Sequence, residues 1–357
     1  MTVILDSIED DTLDLTRASY KAISLYAPNR APADIDLSDN TNLWGVAPAV
    51  LRAISDTVLS TVTRYPSLYA DAVKQAIAVY LGATPDMIVT GCGSDDVLDS
   101  IIRAFGDPGD VVAYPDPSFA MIPIFAKMNG LTGLSIPLTN SNDADADRYI
   151  SADAKINYLC TPNNPTGTSF SPGTIERIIK NTTGIVIIDE AYAEFATQNC
   201  LNFLRLSPRV VITRTLSKAF GLAGFRIGYA IGAPSMIAEI EKSRGPYKVS
   251  GVAQHVAVAA LTEGRAWVEE HIRLTVANRD RLAISLTSIG FKPLASDANF
   301  LLVPVPDATE WDRRLRATGI AVRPFADLPR IGDALRVSVG PWSMMEKCIA
   351  ELREIRG

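Results

Sequence analysis

Residues 184–192 read GIVIIDEAY, and this stretch decides the fold class. Its apolar run starts after a glycine and ends at a carboxylate, which is typical of a strand buried on both faces of a parallel sheet. Similar runs end in polar or glycine-containing loops, and segments long enough for helices separate them. This alternation predicts an α/β fold with a mostly parallel sheet. The predicted strands are Met87–Thr90, Val111–Tyr114, Ile156–Cys160, Ile185–Asp189, Val210–Thr213 and Ile227–Ile231.

Helix signals lie between these strands. The segment 95–105 places five apolar side chains on one helical face, and Gly106 is a candidate C-terminal cap. Ser171 and Pro172 are a candidate N-cap and first helical residue. We therefore expect one helix over 95–105 and a second helix that begins at Pro172.

The pattern changes in the last third of the chain. Long helical patterns precede short strands and a final helix, which predicts a smaller α+β domain. We expect an N-terminal arm and part of the small domain at 1–45, a large domain at 46–247, and the small C-terminal domain at 248–357. The predicted elements of that last part are helices at Val252–Leu261, Trp267–Leu286 and Ser343–Ile355, with strands near Asn299–Pro304, Ala321–Arg323 and Ala334–Val339.

Composition excludes several classes of protein. The chain has 357 residues, 47% of them hydrophobic and 21% charged, which is typical of a globular protein of about two domains. A formal net charge of −6 argues against nucleic acid as the main partner. The sequence has only two histidines and four cysteines, without CxxC or HExxH spacing, so we predict no metal site. A group other than imidazole must then carry protons.

The sequence also favours a cytoplasmic location without membrane attachment. Its scattered cysteines are typical of reduced thiols. Five acidic residues precede the first basic one, Arg17, which is unlike a secretory signal. No apolar run approaches 18 residues, the minimum for a transmembrane helix.

Polar side chains follow the predicted strands, where an open α/β sheet binds its ligands. The glycine turn GCGSDD at 91–96 is either a phosphate seat or an ordinary tight turn, and it lacks the third glycine of a dinucleotide fingerprint. Asp189 needs a partner such as a metal, an arginine or a protonated ring nitrogen. Lys218 is either a surface lysine or an imine-forming nucleophile, and Thr215, Ser217 and Arg226 suit a phosphate.

One cofactor accounts for all these strand ends together. A phosphate cradle, an aromatic side chain, an acid and a lysine are what pyridoxal phosphate requires. The chain resembles the class I/II aminotransferases of fold type I, most closely the histidinol-phosphate aminotransferase family. This resemblance implies a large α/β/α domain and a smaller α+β domain. The matching stretches are RYP at 64–66, GCGSDD, YPDPSF at 114–119, TPNNPTG at 161–167, VIIDEAYAEF at 186–195, TLSKAFGLAGFRIGY at 215–229, GPYKVS at 245–250, ANF at 298–300 and LRVSVG at 335–340.

The resemblance also implies roles for individual residues. Lys218, Asp189 and Tyr192 would be catalytic: Lys218 forms the imine and moves the proton, Asp189 pairs with the pyridine nitrogen, and Tyr192 contacts the phenolic oxygen. Phe119 would stack on the ring, and Asn164 would contact both the phenolic oxygen and the substrate. The residues implied to hold the phosphate are Ser94, Asp95, Thr215, Ser217 and Arg226, with Tyr65 contributed across a homodimer interface.

Three further residues are implied to bind the substrate. Arg336 would bind the α-carboxylate, Arg323 the substrate phosphate, and Tyr26 would close over the site. Each has a plainer interpretation, as a solvent-facing or packing side chain. The sequence departs from the family at Thr41, where glutamate is usual, and at Phe119, where tyrosine is usual. These departures leave the cofactor chemistry intact and bear on the identity of the amino donor.

The predicted activity is amino transfer from histidinol phosphate to a 2-oxo acid such as 2-oxoglutarate. An aromatic or specialised amino acid is an alternative donor. Decarboxylation or elimination on the same scaffold is an alternative reaction. A regulator built on an aminotransferase-like domain is a third hypothesis, against which the negative charge and the complete lysine constellation argue.

Overall fold

A computed structural model describes residues 16–25 and 31–356 of the chain. Within these ranges the strands are β1 (Ile35–Asp36), β2 (Ile88–Cys92), β3 (Val111–Asp116), β4 (Thr132–Pro137), β5 (Ile156–Cys160), β6 (Ile185–Asp189), β7 (Val210–Thr215), β8 (Ile227–Gly232), β9 (Phe300–Pro304), β10 (Ile320–Ala321), β11 (Arg323–Leu328) and β12 (Gly332–Ser338).

The helices surround and connect these strands. Short 3-10 turns occur at Pro85–Met87, Ala193–Phe195, Leu201–Arg205 and Ala223–Phe225. The α-helices of the described ranges are α1 (Ala18–Lys21), α2 (Pro48–Ser55), α3 (Leu59–Thr63), α4 (Asp71–Leu81), α5 (Gly93–Phe105), α6 (Met121–Met128), α7 (Ala146–Ala152), α8 (Pro172–Asn181), α9 (Pro234–Ser243), α10 (Gly251–Leu261), α11 (Arg265–Ser288), α12 (Ala308–Ala317) and α13 (Trp342–Arg356).

The described residues form a seven-stranded main sheet with the order β2-β8-β7-β6-β5-β3-β4. Strand β8 runs antiparallel to both of its neighbours, and the pairs β7-β6, β6-β5, β5-β3 and β3-β4 are parallel. The predicted α/β class with a mostly parallel sheet is confirmed. All six predicted strands are present, and the prediction missed β4. Only Ile136 of β4 is buried, because this strand lies at the sheet edge, so it has no apolar run.

Both faces of the main sheet are covered. In β6, Ile185 and Ile187 pack into one apolar cluster, whereas Val186 and Ile188 pack into another on the opposite face. This alternation explains why the strand needs a continuous apolar run. Covering both faces leaves the carboxyl ends of the strands as the place where polar side chains can meet.

The predicted helix signals operate close to where the sequence places them. The Ser171 hydroxyl accepts a hydrogen bond from the amide of Thr174, and Pro172 opens α8. Helix α5 starts at Gly93, two residues before the predicted start. Gly106 caps α5 through its amide, which donates to the carbonyl of Ile102, although its φ of −105° is not left-handed.

A second sheet of order β11-β12-β9 is antiparallel and packs with α11, α12 and α13. The N-terminal strand β1 pairs with β10 in parallel, so the chain around residue 35 joins this part of the molecule. Helix α10, which follows residue 247, shares its apolar cluster with α2 and α4. The division into 1–45, 46–247 and 248–357 remains a proposal.

None of the helices in the described ranges is both long and apolar enough to cross a membrane.

Candidate active site

A cavity of about 610 Å³ opens at the carboxyl ends of the main-sheet strands. Its walls come from the loops after β2, β5, β6 and β7, from the segment 39–41 and from β12. The side chains lining it are Asp39, Asn40, Thr41, Ser94, Asp95, Phe119, Met121, Phe125, Cys160, Asn164, Asp189, Ala191, Tyr192, Thr215, Ser217, Lys218, Ala223, Arg226 and Arg336.

Asp189 is the buried acid of the cavity, with 3% of its surface exposed. Tyr158 Oη donates to its Oδ2 at 2.8 Å, and Thr213 Oγ1 donates to its Oδ1 at 3.0 Å. Burial raises the pKa of Asp189 to about 6, and the two hydrogen bonds oppose that rise. Asp189 is therefore an acid held near the neutral range, which is where a partner cation would stabilise its charge.

Lys218 projects into the cavity from the loop after β7. Its Nζ donates to the backbone carbonyl of Asp39 at 3.0 Å and lies 5.8 Å from the centre of the Tyr192 ring. Burial, together with the nearby cation of Arg336, lowers the pKa of Lys218 to about 8. A substantial fraction of this amine is thus neutral close to physiological pH, as a nucleophile or base requires.

The N-terminus of α5 forms an anion cradle, since backbone amides there lack intrahelical partners. Gly93 adopts a φ of +81°, and a Cβ on it would lie 2.4 Å from Arg226 Nη2. Gly228 is equally constrained, because its Cβ would lie 2.1 Å from the amide of Ser94. Arg226 Nη2 donates to Asp95 Oδ2 at 3.1 Å. Glycine at these two points lets backbone and guanidinium approach one ligand.

Thr215 and Ser217 add two hydroxyls to the same cavity. Thr215 Oγ1 lies 2.9 Å from Ser217 Oγ, and the amide of Ser217 donates to Thr215 Oγ1 at 3.1 Å. Both residues are buried and line the cavity. Their preformed arrangement offers hydroxyl donors to an anion without further ordering.

Asn40 connects the cavity to both sheets. It has a left-handed φ of +55° and 1% exposure. Its Nδ2 donates to Tyr192 Oη at 3.1 Å, its amide donates to Ser338 Oγ at 2.9 Å, and its carbonyl accepts from Asn299 Nδ2 at 3.1 Å. These contacts fix the Tyr192 hydroxyl and the neighbouring carbonyl of Asp39 that faces Lys218.

Arg336 reaches the cavity from β12 and is 8% exposed. It donates to Asn164 Oδ1 at 2.5 Å and to the carbonyl of Ser38 at 2.7 Å. Its guanidinium carbon lies 5.4 Å from the Phe300 ring centre and 5.6 Å from that of Phe325. Cation–π contacts of this kind hold the guanidinium in one orientation.

Residues 32–352 match the family model for aminotransferase class I and II. The chain belongs to this family. The predictions of the family, the fold type, an amino-transferring enzyme and the pyridoxal phosphate cofactor are confirmed.

Two curated relatives cover nearly all of this aminotransferase. A histidinol-phosphate aminotransferase of Caldanaerobacter subterraneus subsp. tengcongensis is 33% identical over 348 residues, which are 96% of this chain and 99% of that protein. Another, of Geotalea uraniireducens, is 36% identical over 339 residues, which are 92% of this chain and 95% of that protein.

Solved structures agree with this fold. Histidinol-phosphate aminotransferase from Sinorhizobium meliloti in complex with pyridoxal-5'-phosphate superposes with a TM-score of 0.86 at 25% identity, covering 97% of this chain and 98% of that one. Aspartate aminotransferase from Thermus thermophilus with maleate gives a TM-score of 0.80 at 23% identity, covering 91% and 92% of the two chains. The second likeness shows the fold alone.

Most of the site residues predicted for the aminotransferase meet in the one cavity. The members that line it are Ser94, Asp95, Phe119, Asn164, Asp189, Tyr192, Thr215, Ser217, Lys218, Arg226 and Arg336.

Two predicted residues lie outside the cavity lining, and a third is not among the described residues. Tyr65 is 82% exposed, and its ring stacks on that of Tyr247 at 4.7 Å. Arg323 lies outside the cavity lining but pairs directly with Arg336 across β11 and β12, so both side chains emerge on the same face of the sheet. Tyr26 lies outside the described residues.

The sequence analysis missed four contributors to the aminotransferase site. Tyr158 and Thr213 lie inside apolar strands, where such residues are read as core. Their position beside Asp189 follows from strand register, since Thr213 is its direct partner on β7 and Tyr158 precedes its partner Cys160 on β5 by two residues. Asn40 and the carbonyl of Asp39 gave no local signal, because their partners lie far along the chain.

Proposed function

We propose that this aminotransferase moves the amino group of histidinol phosphate to a 2-oxo acid such as 2-oxoglutarate. The observation that supports the donor assignment is the direct strand pairing of Arg323 with Arg336, of which Arg336 lines the cavity. Residues directly opposite each other on paired strands project from the same face of the sheet. Two guanidinium groups on one face can contact an anion with more than one charge together, and a phosphate monoester is such an anion. The names of the relatives support the same donor.

The cavity fits pyridoxal phosphate at three points. The cradle around Gly93 and Arg226 suits the phosphate dianion, and Asp189 suits a protonated ring nitrogen. Lys218, which lines the same cavity, suits the aldehyde. When bound, the cofactor supplies an electron-withdrawing ring that stabilises the charge left when a substrate proton departs.

Lys218 is the group that we expect to carry the proton. Its lowered pKa leaves neutral amine available to accept a proton from the substrate carbon and to release that proton later in the reaction. The carbonyl of Asp39 accepts a hydrogen bond from Nζ and so limits the directions in which the amine can point. Tyr192, whose hydroxyl accepts from Asn40, would hold the phenolic oxygen of the cofactor.

Arg336 and Asn164 would hold the substrate's anionic group. Their mutual hydrogen bond and the two flanking phenylalanines preset the guanidinium for a bidentate contact. A 2-oxo acid presents a carboxylate to Arg336, whereas histidinol phosphate presents a phosphate that can also reach Arg323. Arg336 would therefore serve both halves of the reaction, and Arg323 only the half that takes up histidinol phosphate.

An aromatic amino acid is the second candidate donor. Phe119, Met121 and Phe125 give the cavity an apolar wall that suits any planar side chain, imidazole included. Such a donor has no phosphate, so it would make no use of Arg323. Dependence on Arg323 thus separates the two donors.

We further propose a homodimer. Exposed apolar side chains concentrate between residues 51 and 69 and at Tyr247, on α2, α3 and the loops beside them, and we call this set the exposed apolar face. A patch of this kind marks a protein interface. Its members are Leu51, Ile54, Val58, Val62, Tyr65, Leu68, Tyr69 and Tyr247. Tyr65 on this face would reach the partner subunit's cofactor, as the family resemblance implies.

A cytoplasmic location accords with the thiols. All four cysteines are free, and three of them are buried, as expected for a protein of a reducing compartment.

The test is a half-reaction assay on the purified protein carrying pyridoxal phosphate. Histidinol phosphate and a panel of amino acids are added singly, and loss of the visible cofactor absorbance is followed. We expect the fastest conversion with histidinol phosphate and none in Lys218→Ala. Conversion by an aromatic amino acid alone would instead support the second donor.

A further inference from the structure

The two oxygens of Asp189 are each served by a neighbouring strand. Tyr158 of β5 donates its hydroxyl to Oδ2, and Thr213 of β7 donates its hydroxyl to Oδ1. Both donors are fully buried, at 0% exposure. The two neighbouring strands therefore each donate one hydrogen bond to the acid, and we call this pair of hydrogen bonds the clamp. The acceptor positions of Asp189 that remain face the cavity that it lines.

This clamp has an electrostatic consequence. Burial disfavours the charged form of a carboxylic acid, and hydrogen bonds donated to the charged form favour it. Burial and the proximity of Asp189 raise the pKa of Tyr158 well above its ordinary value, so its hydroxyl keeps its proton and remains a donor across the working pH range. Thr213 cannot lose its proton at all in that range. Both contacts thus act as permanent donors to Asp189.

A second buried tyrosine lies beside Tyr158. The ring of Tyr158 lies in the apolar core on one side of the main sheet, and Tyr149 Oη donates to the backbone carbonyl of Tyr158 at 2.8 Å. Tyr149 is also fully buried, and its hydroxyl donates to that backbone carbonyl rather than to Asp189. Of these two buried tyrosines, Tyr158 therefore contacts the acid through its hydroxyl and Tyr149 contacts backbone.

We propose that Tyr158 and Thr213 are positioning residues that keep Asp189 ionised and aimed at the ring nitrogen of the cofactor. This inference rests on the proposed function, because it assumes that Asp189 meets that nitrogen. Neither residue touches the substrate or cofactor in this scheme. Their effect passes entirely through the protonation state and orientation of one carboxylate.

The experiment measures binding of pyridoxamine phosphate to the full chain freed of cofactor. This probe has the same ring and phosphate but no aldehyde, so the protonation of Lys218 does not enter through imine formation. The dissociation constant is determined between pH 6 and pH 9 for the wild type, Tyr158→Phe and Tyr149→Phe. Tyr149→Phe is the matched control, since it also loses one buried hydroxyl.

We expect Tyr158→Phe to bind about tenfold more weakly at pH 6, with the loss shrinking towards pH 9, where Asp189 ionises without help. The pH dependence of its affinity should move up by about one unit, and that of Tyr149→Phe should not move. Thr213→Val should shift the profile in the same direction, and Thr213→Ser, which keeps the hydroxyl, should restore it. This rescue keeps the proposal testable even where Tyr158→Phe folds poorly.

A loss that is equal at every pH, or equal in Tyr158→Phe and Tyr149→Phe, would overturn the clamp while leaving the proposed function intact. A wild type that fails to bind pyridoxamine phosphate would overturn both. Amino transfer by the wild type, measured in the same preparation, separates the two failures.

Discussion

Lys218 sets the pH range in which the protein can take up its cofactor, because only a neutral amine attacks an aldehyde. Its pKa is lowered to about 8 by burial and by the cation of Arg336. We therefore expect the rate of pyridoxal phosphate uptake by the cofactor-free protein to rise with pH, with a midpoint near 8. Stopped-flow absorbance measures this rate. A midpoint near 10.5, the ordinary value for lysine, would contradict the account.

Asn40 is the second residue whose side chain we expect to affect the rate of the reaction. Glycine tolerates the left-handed φ of +55° at this position. Asn40→Gly therefore removes the side-chain amide and leaves the backbone unstrained. Losing the hydrogen bond to Tyr192 should lower kcat by about fivefold to tenfold. Steady-state kinetics checks this, with Asn42→Ala as control, since the Asn42 side chain bonds to backbone: its Nδ2 donates to the carbonyl of Ala219, and its Oδ1 accepts from the amide of Trp44. Equal effects in the two variants would show that Asn40 acts only through folding.

At the scale of elements, we expect the pair β11 and β12 to decide which donor is accepted. Arg323→Ala should raise KM for histidinol phosphate by about tenfold to a hundredfold, the worth of one charged hydrogen bond, and leave KM for 2-oxoglutarate nearly unchanged. Arg336→Ala should raise KM for both substrates. Arg330→Ala is the control. Arg330 lies in the turn that joins β11 to β12, and its guanidinium donates to the carbonyl of Leu138, outside the cavity lining. Unchanged KM for histidinol phosphate in Arg323→Ala would remove the phosphate assignment.

The elements also show where reading a sequence succeeds and fails. Strands such as β6 are visible because burial on both faces requires an unbroken apolar run. Strand β4 is invisible because the sheet edge buries only Ile136. The motif residues at strand ends are found locally, whereas Tyr158 acts through lateral register and Asn40 through Ser338, 298 positions away. Physical contacts of that kind depend on topology, which a single sequence does not encode locally.

At the scale of the whole molecule, the exposed apolar face should drive association of two chains. Val62→Arg places a charge on that face, where Val62 is 65% exposed. We expect the variant to run as a monomer in analytical ultracentrifugation and to bind pyridoxal phosphate more weakly, since Tyr65 no longer reaches a partner's site. Ile284→Arg, at a position 72% exposed on α11, is the control. A Val62→Arg dimer with normal cofactor affinity would contradict the proposed interface.

The stability of the molecule should depend on a buried carboxyl that catalysis does not use. Both Glu194 oxygens are buried without a hydrogen-bond partner among the described residues. Burial raises the pKa of Glu194 to about 7, from an ordinary value of 4.5, against the opposing effect of Arg214. The folded state therefore holds this proton more tightly than the unfolded state. Its contribution to stability is complete below pH 4.5 and is lost as pH rises through about 7.

Glu194→Gln tests this directly, because glutamine has no proton to lose. Urea unfolding at fixed protein concentration should show the variant gaining stability relative to the wild type between pH 5 and pH 8, by about 3 kcal/mol at most. A difference between the two proteins that stays constant over that range would contradict the buried, protonated state.

We propose that one cavity, with Arg323 beside it, brings a lysine, an acid held by two hydrogen bonds and two arginines to bear on histidinol phosphate. A single-turnover experiment with the purified protein carrying pyridoxal phosphate tests it most directly. Saturating histidinol phosphate should discharge the visible cofactor absorbance, and one equivalent of pyridoxamine phosphate should be recovered on denaturation. A cofactor absorbance that persists at saturating histidinol phosphate, while another amino compound discharges it, would contradict the claim.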